Sequence, residues 1–258
     1  EKSLTNGLTI LKDFSIQSNY LVAASVRLEN RSGHPLSLPA QDWAENWREN
    51  FPPLEAGPFL VTAPWHEIEI DDAINVCIDP GLAFGTGQHA TTAGCLAMLT
   101  AMKQRGVIAR SVADIGTGTG LLAFAALALW PRAHAVASDI DPVCAPVVAE
   151  NAARNGIGIG ARPGELAIAI TAGMDDSHLR ACGPFDLLIA NILAGPLIDL
   201  APDFADAVPP RGNLLLAGLL TTQEKAVRTA YRAVGFAPVR RLVNGDWSIL
   251  WLRRRVAG

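Results

Sequence analysis

The stretch Val112-Ala113-Asp114-Ile115-Gly116-Thr117-Gly118-Thr119-Gly120 runs from an apolar strand through a glycine-rich turn into an apolar helix. Glycine lets the backbone approach a ligand closely, and a helix start offers free N–H groups. Around this stretch, apolar strand-like runs fall at 74–78, 111–115, 134–138, 166–170, 186–190, 213–217, 237–243 and 248–252. Helical stretches fill most of the gaps, at 91–104, 121–129, 143–155, 197–208 and 222–234. Strand and helix alternating in this way predict an α/β fold, a parallel sheet covered on both faces. The last two strands are separated only by Asn244-Gly245-Asp246. Asn-Gly is a hairpin signal, so the sheet should close in an antiparallel pair.

The turn also carries chemical information. Its spacing is Gly-x-Gly-x-Gly, preceded by Asp114. Leu121 occupies the place of the last glycine in the Gly-x-Gly-x-x-Gly of dinucleotide enzymes. Asp139 stands just past the run at 134–138, 23 residues after Gly116. A carboxylate there can accept both hydroxyls of a ribose. Asp141-Pro142 then opens the next helix with an acidic cap. Glycine turn plus acidic strand end indicate a nucleoside-containing cofactor. The missing pyrophosphate pattern favours S-adenosylmethionine.

Composition sets the outer bounds. Of 258 residues, 50% are hydrophobic and 18% charged, enough to bury a sizeable core. The longest apolar run, 121–130, is half of what a membrane span needs. A net charge of -4 argues against direct nucleic-acid binding. Cys77, Cys95, Cys144 and Cys182 have no metal-knuckle spacing, so no metal is expected. With reduced thiols and no basic-then-apolar leader after Glu1, the cytoplasm is the expected compartment.

Three segments are expected. Residues 1–53 read as a small N-terminal α/β segment, with a strand at 19–29, a turn at 31–35 and a short helix from Asp42 carrying Trp43 and Trp47. Residues 54–72 read as a linker with one strand, 59–62. Residues 73–258 form the cofactor-binding domain.

Two long motifs narrow the class. The stretch Asp79-Pro80-Gly81-Leu82-Ala83-Phe84-Gly85-Thr86-Gly87-Gln88-His89-Ala90-Thr91-Thr92 resembles the signature of the ribosomal protein L11 methyltransferase family. So does Ala190-Asn191-Ile192-Leu193-Ala194-Gly195-Pro196-Leu197. Asp139-Ile140-Asp141-Pro142, Asn151, Asn155-Gly156 and the strand near Trp247 match too. The resemblance covers about residues 41 to 253. The chain departs from it at Gln88 and Ala90, where the family usually has Thr and Pro, and at Thr117, where it often has Cys.

The resemblance implies a seven-stranded class I (Rossmann-like) methyltransferase sheet with S-adenosylmethionine as methyl donor. It implies cofactor contacts at Thr92, Gly116, Asp139 and Asn191. Gly118 belongs to the same turn, and Phe84 is a candidate cover for the cofactor or a core residue. Asn191, at a strand's carboxyl end, is the candidate catalytic residue, orienting an amine. Each polar residue has a plainer alternative: a helix cap for Thr92 and Asp139, a turn former for Asn191. His89 is a base candidate that the sequence leaves without an identifiable partner, and it is not counted among the site residues.

The implied substrate is ribosomal protein L11, methylated on lysine side chains and its α-amine, with the N-terminal segment recruiting it. Deprotonating a lysine at pH 7 costs about 4.6 kcal/mol, an α-amine only about 1. A partly dry cationic site lowers that cost, so alignment with the methyl should dominate over a dedicated base. Glutamine and adenine methyltransferases typically show Asn-Pro-Pro-Tyr here; Ile192-Leu193 after Asn191 disfavours them. Another acceptor, a non-catalytic binding module and a nicotinamide oxidoreductase are the competing readings. Trp43 and Trp47 are the candidate contact face should the chain associate.

Overall fold

The computed structural model describes residues 2–3, 8–16, 22–31, 33–34, 52–68, 70–79 and 90–256. They fall in two units, Glu1–Asn50 and Phe51–Gly258. In the first, β1 (Lys2–Ser3), β2 (Leu8–Ile16) and β3 (Val22–Asn30) form an antiparallel sheet in that order. β3 is the strand expected at 19–29. β2 is harder to read, because Lys12 interrupts the alternation of Leu8, Ile10, Phe14 and Ile16. The helix expected to carry Trp43 and Trp47 lies outside the described residues.

The second unit opens with a sheet of its own. β4 (Leu54–Ala56) turns through Gly57-Pro58 into β5 (Phe59–Thr62), and β5 pairs in parallel with β6 (Ile74–Cys77). This corrects two expectations. The stretch 54–72 carries two paired strands, with Phe59, Leu60 and Val61 buried. The run at 74–78 joins this small sheet and not the large one. Phe59, Val61, Val76 and Ile78 share a core with the first long helix, α1 (Ala90–Gln104).

The large sheet is built from β7 (Ser111–Ile115), β8 (His134–Asp139), β9 (Leu166–Ile170), β10 (Leu187–Asn191), β11 (Asn213–Leu220), β12 (Phe236–Asn244) and β13 (Trp247–Arg254). Its order is β12-β13-β11-β10-β7-β8-β9. The first five strands in sequence are parallel; β13 runs antiparallel to β11 and β12 antiparallel to β13. The strand order reverses at β7, since β8 and β9 lie on one side and β10 on the other. Ligands bind at such a switch point, beyond the carboxyl ends of the strands.

Helices cover both faces. One core joins α1, α2 (Leu121–Leu129) and α3 (Cys144–Arg154), through residues such as Leu99, Phe124 and Val148. α2 is apolar all round and almost wholly buried, as such a helix must be. Among the described residues no helix is long and apolar enough to cross a membrane. The opposite core takes α4 (Ser177–Ala181), α5 (Ala194–Asp199), α6 (Ala201–Ala207) and α7 (Glu224–Ala233), through Leu179, Leu197, Phe204 and Tyr231.

Two helical expectations are corrected. The helix expected at 197–208 is split at Leu200, because Pro202 has no N–H and its ring would collide with the carbonyl four residues back. Proline is tolerated in the first turn of α6 instead. α4 was not legible in sequence. It is a five-residue helix capped by Asp176, whose carboxylate accepts the Leu179 N–H at 2.7 Å.

The terminal hairpin is tied to α7 by one buried carboxylate. Glu224 accepts from Arg241 Nε at 2.6 Å, Ser248 Oγ at 2.8 Å and Arg228 at 3.1 Å. Burial works against its charge, but the hydrogen bonds from Arg241, Ser248 and Arg228 win and hold the carboxyl below its usual range. Glu224→Ala should therefore cost about 1–3 kcal/mol near neutral pH, partly by stranding the Ser248 hydroxyl. A lowered pKa stabilises above the ordinary carboxylate range and ceases to as pH falls through the folded value. Urea melts should show the gap between wild type and variant closing in acid.

Candidate cofactor site

Pairing register places three of the expected site residues in one row. Ile115 of β7 lies opposite Ser138 of β8 and Ala190 of β10. The next residues, Asp139, Gly116 and Asn191, therefore stand abreast at the carboxyl ends of three neighbouring strands. At about 4.8 Å per strand, Asp139 and Asn191 flank the glycine turn about 10 Å apart.

The turn is held from below and from the side. The N–H groups of Gly116 and Thr117 donate to the Ser138 carbonyl at 2.8 and 3.0 Å. Gly118 N–H donates to Asp139 Oδ2 at 2.9 Å. Gly116 sits at φ +73°, and a Cβ there would lie 2.2 Å from Ile192 Cγ2. Only glycine fits. Asp139 Oδ1 accepts the Asp141 N–H at 3.0 Å. The Cys144 side chain is also hydrogen-bonded to this carboxylate, which keeps acceptor capacity on its remaining lone pairs. A half-buried carboxylate beside a glycine-rich turn fits the ribose of a nucleoside cofactor.

Asp139 is not the cap of the following helix. α3 opens only at Cys144, after a turn in which Asp141 Oδ1 accepts the Val143 N–H at 3.0 Å. The acidic cap expected at Asp141 thus serves a turn, since Val143 takes the capping position without a side-chain bond. Asn191 is half-buried, and among the described residues its carboxamide has no hydrogen-bond partner. It is free to meet a ligand. Thr92 is the third residue of α1 and buried. No described contact joins it to Asp139 or Asn191. Phe84 and His89 lie outside the described residues.

Asp114 closes the turn. Its Oδ2 accepts from Thr117 Oγ1 at 2.7 Å and from the Ala123 N–H at 3.1 Å, so one oxygen joins strand, turn and helix. Among the described residues its Oδ1 is buried without a partner. Burial, opposed by those two hydrogen bonds and aided by the nearby Asp139 charge, pushes its pKa up to about 7.

Sequence reasoning missed two features. Gly218 interrupts the apolar run of β11 at φ +82°, and a Cβ there would lie 2.3 Å from the Ile192 carbonyl oxygen. Ile192, just after Asn191, is thus seated between two glycines. A lone glycine inside a strand was the available signal. The second is the pair Asn151 and Asn155, matched as a motif without a role. Asn151 Oδ1 accepts the Asp79 N–H at 2.8 Å. Among the described residues, no group of His, Cys, Asp or Glu is placed to hold a metal ion. The four cysteines are free.

Five parallel strands reversed at β7 and closed by an antiparallel hairpin define a class I methyltransferase fold. The family model for ribosomal protein L11 methyltransferase (PrmA) matches residues 9–255. The ribosomal protein L11 methyltransferase of Rhizobium meliloti is 36% identical over 243 residues, 93% of this chain and 80% of that one. That of Pseudomonas aeruginosa (strain LESB58) is 42% identical over 201 residues, 78% of this chain and 64% of its own. The crystal structure of ribosomal protein L11 methylase from Lactobacillus delbrueckii subsp. bulgaricus superposes with a TM-score of 0.66 at 32% identity, covering 78% of this chain and 97% of that one. The N-methyltransferase NodS from Bradyrhizobium japonicum, in complex with S-adenosyl-L-homocysteine, shares the fold at 13% identity, with a TM-score of 0.51 over 65% of this chain and 89% of that one. The chain belongs to the ribosomal protein L11 methyltransferase family. It spans just under two thirds of the length of its Pseudomonas relatives.

Two expected outcomes follow from this geometry. Gly116→Ala should cost more than about 1 kcal/mol, from positive φ and the Ile192 clash together. Adding Ile192→Ala should recover the clash component alone, which thermal melts of the two single variants and the double variant will resolve. Asp114 binds its proton more tightly folded than unfolded, so it costs stability as pH climbs from the ordinary carboxylate range to about 7. Asp114→Asn should therefore match wild type near pH 4 and exceed it by up to about 4 kcal/mol above pH 7. A stability difference that does not change with pH would contradict the assignment.

Proposed function

We propose that this protein transfers methyl groups from S-adenosylmethionine to amines of ribosomal protein L11, on lysine side chains and the N-terminal α-amine. The observation that carries the proposal is the row of Asp139, Gly116 and Asn191 at the switch point of a chain in this family. The bound S-adenosyl-L-homocysteine in the NodS complex supports the same cofactor here.

S-adenosylmethionine supplies a methyl already activated by its sulfonium charge. The chain's own residues need only bind, orient and desolvate. Asp139 takes the ribose hydroxyls on its remaining lone pairs. Gly116 and Gly118 let the backbone come close. Thr92 offers a hydroxyl toward the methionine end, and Phe84 covers the cofactor. Asn191 aligns the incoming amine with its carboxamide, as its lack of a described partner permits. No dedicated base is required, because a desolvated amine near a cationic centre gives up its proton more readily. Residues 1–53 recruit the ribosomal protein. A ribosomal protein substrate and free thiols suit a cytoplasmic setting. Direct nucleic-acid or membrane contact has no part in the proposal.

Intact-mass spectrometry of unmethylated L11, incubated with the protein and S-adenosylmethionine, tests this directly. Mass gains in one-methyl steps are expected. No gain, with calorimetric cofactor binding intact, would move the acceptor elsewhere. Asp139→Ala should weaken cofactor binding by about 10- to 150-fold, the loss of charge-assisted hydrogen bonds worth about 1.5–3 kcal/mol. Asn191→Ala should lower kcat more than cofactor affinity; a full-rate variant would remove Asn191 from the reaction.

A further inference from the structure

Asn151 of α3 and Asn155, the residue that caps its C-terminus, lie one turn apart and meet the end of β6. The two carboxamides do the work of a missing neighbouring strand. Asn155 accepts the Cys77 N–H at 2.9 Å and donates to the Cys77 carbonyl at 2.7 Å. Asn151 accepts the Asp79 N–H at 2.8 Å and donates to the Asp79 carbonyl at 3.1 Å. Cys77 and Asp79 are two residues apart and so present the same edge of an extended chain. On the other edge, Ile78 N–H donates to the Thr62 carbonyl of β5 at 2.8 Å.

The third bond of each carboxamide differs. Asn155 donates to the carbonyl of Asn151, within its own helix, at 2.8 Å. Asn151 donates to the Thr119 carbonyl at 3.1 Å. Thr119 follows Gly118, whose N–H holds Asp139. Asn151 is wholly buried, so no water can substitute for these partners. Its orientation is dictated chemically, since Asp79 N–H can only donate and the two carbonyls can only accept. The surface pair Arg154–Asp79, at 3.4 Å and about a third exposed on each side, adds little.

We infer that Asn151 is a positioning residue for cofactor capture: one carboxamide fixes the glycine turn, through Thr119, to Asp79, where the signature stretch Asp79–Thr92 begins. Asn155 clamps the same strand but does not touch the glycine turn. The inference rests on the S-adenosylmethionine reading above, and Asn155 is its built-in control.

The experiment is calorimetry with S-adenosylhomocysteine on wild type, Asn151→Ala and Asn155→Ala, with Tm measured in parallel. Each variant loses three hydrogen bonds, but the Tm loss should be larger at the wholly buried Asn151 than at the half-buried Asn155, so the Kd is read at a temperature where both variants are fully folded. Asn151→Ala should raise the Kd about tenfold or more, while Asn155→Ala should stay within about twofold. A purely structural clamp would move both alike or neither, which overturns the inference. Failure of wild type to bind would instead sink the cofactor reading, and the inference with it. If Asn151→Ala does not fold, amide exchange on wild type decides. S-adenosylhomocysteine should slow exchange of the Asp79 N–H and leave that of Cys77 unchanged. Equal slowing, or none, overturns the inference.

Discussion

The site depends on a single buried carboxylate. Asp114 ends its strand one residue before the last and turns inward beneath the glycine turn. There it receives the Thr117 hydroxyl and the Ala123 amide on one oxygen. That anchor ties the start of α2 directly to β7, where the other bonds of the turn run to β8 and α3. The cost is a desolvated acid whose second oxygen has no described partner. The gain is a turn rigid enough to present Gly118 to Asp139 on the neighbouring strand.

From this anchor the site spreads along the sheet edge. Parallel pairing carries the level of Gly116 to Asp139 on one side and Asn191 on the other. Ile192 then locks the far side by seating between Gly116 and Gly218. Each residue with a proposed contact in this row is placed by backbone register and not by a flexible side chain. That suits the proposed methyl transfer, in which alignment is asked to do more than a strong base.

Much of the large sheet was legible in the sequence, because fully buried parallel strands are short apolar runs and β7 ends in an unmistakable glycine cluster. The row of Asp139, Gly116 and Asn191 was legible for the same reason: strand ends mark themselves. What was not legible is long-range or short. β4 has three residues and no period to read. α4 owes its existence to the Asp176 cap. The helix break at Leu200 was signalled by Pro202, yet the apolar run around it masked the signal. The β6-end partners of Asn151 and Asn155, Asp79 and Cys77, lie more than 70 residues upstream, beyond any local pattern. Phe84 falls outside the described residues, and Thr92 is buried without a described link to the row.

The closing hairpin carries a consequence for how the chain is made. β13 is the last of the seven strands to be synthesised, yet it sits inside the sheet, between β11 and β12. Until it emerges, β11 presents an open row of unpaired amides and carbonyls, and β12 has nothing to pair with. An exposed apolar edge of this kind invites pairing with other chains. A chain interrupted before β13 would therefore leave its parallel half unsealed. The arginines and proline of β12 then make the finished edge a poor template for further strands.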